Sequence, residues 1–186
     1  MENIMSRSSF EKTVNDLLTA IELSFKNMLP NPALILIFSA IDTLGWLDRP
    51  ESQKYATRTT FTSWVDNYLL PNSNLNCDSK DLYAARYGLL HTGSAESRLS
   101  HDLEAKEIWY AFGKMDNGFL QEAIEAIGRK DKAVALHADE LFSSLKKAIA
   151  QFFDSLAKDH ERANIVYTRS SKLLSKLQSP YFPKKK

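Results

Sequence analysis

Apolar residues recur at three- and four-residue steps from early in the chain, with Phe10, Val14, Leu17, Leu18, Ile21, Phe25, Met28 and Leu29 making one stripe. That period predicts an amphipathic helix. Ser8 and Glu11 have the spacing of a capping box, which places its start at Ser8. Pro30, Asn31 and Pro32 then break the pattern, because proline disfavours helix for the residue before it and suits the first turn of a new one. The run Ala33 to Leu47 predicts a second, buried helix; its fifteen residues fall short of the roughly 20 that span a bilayer, and Asp42 interrupts them. Residues 48–57 carry Pro50 and mixed charges and read as a loop. A third helix is expected from Thr59 or Thr60 as N-cap to Pro71, with Phe61, Trp64, Val65, Tyr68 and Leu69 on one face.

After the polar connection Asn72 to Asp78, either Asp78 or Ser79 can cap a fourth helix running to about His91, where Thr92 and Gly93 supply a stop. Ser94 to Lys106 is polar and predicts no element. Ile108 to Phe112 and Ala133 to Leu136 suit the paired strands of a small β-hairpin excursion, with a helix carrying Phe119, Ala123, Ile124 and Ile127 between them. Asp139 is an N-cap for a long helix bearing Leu141, Phe142, Leu145, Ile149, Phe152 and Leu156. A last helix is expected over about Ala163 to Leu177, before a short basic tail from about residue 180. No repeat or long linker divides the chain. The expected fold is all-α: one helical-bundle domain of six or seven helices over residues 1–186.

Composition narrows the classes of function. The 186 residues carry 24 basic and 23 acidic side chains, a formal charge of +1, which removes the broad electrostatic binding of a histone-like protein and leaves only a local nucleic-acid site open. The single cysteine, Cys77, has no partner for a disulfide or a cysteine-based zinc site. With a polar stretch from Met1 to Ser9 in place of a signal sequence, a cytoplasmic protein without a membrane partner is expected.

Familiar catalytic spacings are absent: there is no phosphate-binding loop, GxGxxG, GxSxG, HExxH or CxxC, and His91, His101, His137 and His160 are scattered. Neither a metal site nor a cofactor is expected. Ser94 close behind His91 lacks an elbow and an orienting acid. The informative segment is DSKDLYAARYGLLHTG, residues 78–93. Arg86 lies four residues after Leu82 and three before Leu89, so it points towards the apolar side of its helix. A guanidinium keeps its proton there and must find a carboxylate, a phosphate or a solvated cleft. His91 follows five residues on, about 140° around a regular helix. A frayed last turn, or a second copy across a two-fold axis, would bring the two groups together. The plain alternative is that Arg86 snorkels from the core edge and His91 caps the helix end.

Asp42, in IFSAIDTLGWL, is the other residue out of place, since an unpaired carboxylate in an apolar helix is costly. It either faces a polar gap near the helix end or holds Arg86 in a bidentate ion pair. Trp64, Tyr68, Tyr83 and Tyr87 offer possible base-stacking surfaces; Tyr83 and Tyr87 lie nearest to Arg86, on the less buried side of that helix. Lys184 to Lys186 reads as a solvated end with weak attraction for RNA.

ARYGLLHTG, with Arg86, four residues and His91 inside an all-helical domain, resembles the motif of the HEPN family, the higher eukaryote and prokaryote nucleotide-binding domains. Tyr87 stands where that family commonly has Asn, Asp or His, and its hydroxyl still donates a hydrogen bond. The resemblance implies a metal-independent endoribonuclease with Arg86 and His91 catalytic; beside them Asp42 and Tyr87 are the supporting residues and Tyr83 the candidate RNA-binding ring. It also implies a homodimer with a composite active site, in a toxin and antitoxin or defence setting with a possible antitoxin partner. The alternative within the resemblance is a non-catalytic module that binds a nucleotide or protein and dimerises.

Overall fold

Helix α1 (Glu2–Lys26) starts well ahead of Ser8 in the computed structural model, which describes residues 2–91, 104–171 and 173, the side chains of 2–6, 9, 72 and 91 excepted. Ser8 therefore lies inside the helix, and Glu11 is no capping partner but pairs with Arg7 Nε at 2.8 Å. The helix also stops short of the apolar stripe. The Met28 N–H donates to the Phe25 carbonyl at 3.0 Å and the Leu29 N–H to that of Ser24 at 2.9 Å, which closes the end with Met28 left-handed at φ 58°. Met28 and Leu29 are exposed as a result, at 69% and 49%.

Helix α2 (Pro30–Asp48) opens on its two prolines and runs through the middle of the fold, with Ile37, Phe38, Ile41 and Leu47 excluded from solvent. Among the described residues it is the one helix long and apolar enough to cross a membrane, and half of that apolar window is buried inside the protein. A Cβ on Gly45 would lie 2.6 Å from the Thr60 carbonyl oxygen, so glycine is what lets the next helix approach backbone to backbone. That helix, α3 (Arg58–Trp64), is capped by Thr57 rather than Thr59 or Thr60. The Thr57 N–H donates to Thr60 Oγ1 at 3.0 Å in a capping box. It widens into a π turn at Val65–Leu69 and tightens into a 3-10 turn at Leu70–Asn72, around Pro71.

Helix α4 (Ser79–His91) begins on reciprocal bonds: Asp78 Oδ1 accepts from the N–H groups of Lys80 and Asp81 at 2.8 and 2.9 Å, and Asp81 Oδ2 accepts from that of Asp78 at 3.1 Å. Asp81 Oδ1 accepts from the Lys106 N–H at 2.6 Å, which ties the start of α4 to the chain entering the first strand. The expected stop at Thr92 and Gly93, together with Ser94 and His101, lies outside the described residues.

Strands form at both expected places, β1 (Glu107–Ala111) and β2 (Ala133–His137), joined by α5 (Asn117–Ala126). They are not a hairpin. They pair in parallel, from Glu107 opposite Ala133 to Ala111 opposite His137, because a helix-length connection returns the chain to the end from which β1 started. Ile108, Val134 and Leu136 face the main core, while Trp109, Ala133 and Ala135 pack with Leu120 and Ile124 of α5. The outward N–H of Ala135 donates to Gln121 Oε1 of α5 at 3.0 Å.

Helix α6 (Ala138–Lys158) follows β2 directly, with His137 as its cap instead of Asp139: His137 Nδ1 accepts from the Asp139 N–H at 3.3 Å. Helix α7 (His160–Ser170) is capped by Asp159, which accepts from the Arg162 N–H at 3.0 Å. It begins three residues ahead of the expected Ala163 and ends at Ser170. The expected continuation through 174–177 and the basic tail lie outside the described residues. The fold is thus all-α: among the described residues, seven helices and one small parallel excursion surround a core that includes Phe10, Phe38, Phe61, Trp64 and Phe152.

Candidate functional site around Arg86

Three helices meet at Arg86. Leu82, Ala84 and Ala85 bury one side of α4, and this places position 86 at the edge of that face, opposite α2. There Arg86 Nε and Nη2 each approach Asp42 Oδ2 to 2.7 Å. The two side chains retain 22% and 30% of their exposure, so the pair sits at a boundary rather than in the core. Both contacts run along the Nε–Nη2 edge of the guanidinium. Two of its five N–H donors are used on Asp42. Of the two readings of Asp42, the ion pair is the one present, and it ties α2 to α4 across 44 residues of sequence.

Tyr83, one turn before Arg86, is half-buried. Its ring meets Phe61 edge to face at 5.5 Å between centroids, and the Arg86 guanidinium carbon lies 5.9 Å from its centre. Arg58 at the start of α3 lies 5.8 Å from the same ring and makes a single 3.4 Å contact with Glu104. Tyr87 is 43% exposed beside Arg86. Helix α4 remains α-helical through His91, so positions 86 and 91 lie about 140° apart around its axis. The His91 side chain is outside the described residues.

Of the expected stacking surfaces, Trp64 is core and the half-buried Tyr68 is engaged by its hydroxyl. Trp64 is 1% exposed, packed against Tyr68 and Phe152. The Tyr68 hydroxyl accepts from Arg162 Nη2 in a network that sequence reasoning missed. Arg162 Nε and Nη2 hold Asp48 Oδ1 at 2.7 and 2.6 Å, and its Nη1 donates to Ser155 Oγ at 3.2 Å. Burial lifts the Asp48 carboxyl above the ordinary range, although Arg162 pulls the other way. Arg169 Nη1 donates to the Leu47 carbonyl at 2.8 Å and also to that of Arg49, and Arg49 donates to that of Trp46. These arginines close the carboxyl end of α2, where carbonyls and the helix dipole favour cations. The only sequence signal for Arg162 is its place next to the buried stripe Ala163 and Val166.

An open cleft of about 490 Å³ lies at the amino end of α4, lined by Cys77, Asp78, Asp81, Glu104, Lys106 and Asp131 among others, and Arg86 is not in its wall. Burial and the neighbouring carboxylates of Asp81 and Asp78 push the Cys77 thiol up to about 12, which disfavours the nucleophilic thiolate. Among the described residues, no three His, Cys, Asp or Glu side chains are grouped so that they could hold a metal ion.

Comparison of the chain with protein-family models, with curated proteins and with solved structures finds no match in any of the three. The functional reading therefore rests on the residues and their geometry.

Proposed function

We propose that the protein is an HEPN-like, metal-independent endoribonuclease acting in the cytoplasm, as the toxin or defence component of a system with a protein partner. The observation that carries this reading is the Arg86–Asp42 pair. A motif arginine on a helical bundle is held by a carboxylate from another helix, so its fork is oriented before any substrate arrives. In the proposed reaction the ribose 2′-OH attacks the adjacent phosphorus and the 5′-oxygen of the next nucleotide leaves, producing a 2′,3′-cyclic phosphate. His91 moves the proton, as base to the hydroxyl or acid to the leaving oxygen, and Arg86 stabilises the charge growing on the phosphate oxygens. Positions 86 and 91 diverge around α4, which supports a composite site between two copies related by a two-fold axis.

The test is labelled single-stranded RNA incubated with the protein in excess EDTA. Cleavage is expected to persist, to leave cyclic phosphate ends, to fall by about 10²-fold or more in Arg86→Ala and His91→Ala, and to spare DNA, which lacks the attacking hydroxyl. Solution mass is expected to be that of a dimer at micromolar concentration. A monomer would overturn the composite site.

The second reading is a non-catalytic module that binds a nucleotide or a protein. It is favoured by the 490 Å³ cleft at the amino end of α4, whose wall does not include Arg86. Folded dimer that cleaves no RNA would decide for it.

A further inference from the structure

We propose that Arg58 is a second phosphate-binding group of this site, gripping the backbone of single-stranded RNA next to the phosphate that Arg86 faces; the inference rests on the ribonuclease reading. Arg58 and Arg86 come from different helices and converge on one ring, at 5.8 and 5.9 Å from the centre of Tyr83. The ring is fixed in turn by its edge contact with Phe61, a side chain only 1% exposed. Two guanidiniums that share a ring are close enough for one strand to bring successive phosphates to both. They differ in how firmly their charge is matched. Asp42 takes Arg86 by two 2.7 Å contacts, whereas Glu104, 55% exposed, reaches Arg58 Nη1 by one contact of 3.4 Å. An exposed, long, single contact is readily exchanged for a phosphate, which offers several acceptor oxygens in the bidentate geometry that a guanidinium prefers. Arg86 is thus the positioned group and Arg58 the exchangeable one, with Glu104 standing where the phosphate binds. RNA is favoured over an acidic peptide because an aromatic ring beside two arginines suits a chain that alternates anionic and planar groups.

The experiment measures binding rather than cleavage. A fluorescein-labelled single-stranded 2′-O-methyl RNA of about a dozen nucleotides, which cannot attack its own phosphates, is titrated with the full chain between about 50 and 200 mM salt and read by anisotropy. Arg58→Gln is expected to weaken binding about 5- to 10-fold at the lower salt, and to flatten the logarithmic salt slope by about 0.7, the value for one phosphate contact on a single strand. Glu104→Gln is expected to tighten binding about 2- to 5-fold, and Arg58→Lys to keep the slope. Circular dichroism of each variant separates lost binding from lost fold. Wild-type binding that Arg58→Gln leaves unchanged in affinity and slope would overturn the role of Arg58 alone. Absence of binding by the wild type would overturn the ribonuclease reading and this inference together.

Discussion

Arg86 Nε and Nη2 both reach Asp42 Oδ2, at 2.7 Å. A carboxylate of α2 thereby sets the direction of a side chain on α4. Asp42→Ala leaves Arg86 at the edge of an apolar face without that partner. A loss of about 2 kcal/mol is expected, between the small value of an exposed pair and the 3–5 kcal/mol of a fully buried one. Denaturant unfolding checks it, and RNA cleavage should fall in the same variant, with partial recovery in Asp42→Glu. Wild-type stability together with wild-type cleavage would remove Asp42 from the site.

Met28 occupies a left-handed position, φ 58°, at the end of α1, where glycine is the usual residue. A side chain in that conformation costs roughly 1–2 kcal/mol, and the extra freedom of glycine in the unfolded chain takes back part of any gain. Met28→Gly is expected to stabilise by about 0.5–1 kcal/mol, visible as a Tm rise of a few degrees. A lower Tm would show that the exposed Met28 side chain contributes packing that outweighs its strain.

Gly45 has the opposite sensitivity, because a Cβ there would lie 2.6 Å from the Thr60 carbonyl oxygen and 3.1 Å from its carbon. Both are backbone atoms at the start of α3, so relief requires moving the helix. Gly45→Ala is expected to cost about 1–3 kcal/mol and to shift Arg58 and Phe61 away from Tyr83. Thermal melting and the anisotropy titration should report the two effects together.

The Cys77 thiol, raised by burial to about 12, links the fold to alkaline pH. A group whose pKa is higher folded than unfolded contributes stability that is complete below its unfolded value, about 8.5 for a thiol, and is lost as pH rises through the folded value. Stability should fall between those limits with a slope of up to about 1.4 kcal/mol per pH unit from this one proton, and Cys77→Ala should have a shallower decline. The Tyr110 phenol, also raised by burial, adds a fall of the same sign that remains in the variant. Thiol labelling at pH 8 should be slow until the protein is unfolded. Rapid labelling of the folded protein would contradict the raised pKa of the Cys77 thiol.

Helices α2, α4 and α6 were legible because their buried residues recur at helical spacing, and the Asp42–Arg86 pair because a charge in an apolar stripe demands a partner of opposite sign. Strand direction was not legible. The apolar runs in β1 and β2 are the same whether the strands lie parallel or antiparallel, and only the path of α5 decides it. The start of α1 escaped because Ser8 and Glu11 imitate a cap that the helix runs past. Arg58 gave no signal either, since it sits at a loop-to-helix boundary where no period constrains its direction and its relation to Tyr83 exists only after α3 and α4 pack. Periodicity shows which residues share a face and not whether that face is covered, which is why the burial of Trp64 was not legible.

The bond from the Ala135 N–H to Gln121 Oε1 fills a position on β2 that another strand would need. A side-chain amide here does what one residue of a third strand does in a larger sheet, delivered from the helix packed on the sheet face. A foreign strand that seeks to extend the sheet beyond β2 has to break this bond first, which blunts the edge at that residue. A second copy of this protein approaching there would have to displace Gln121 before a shared ladder of backbone bonds could form.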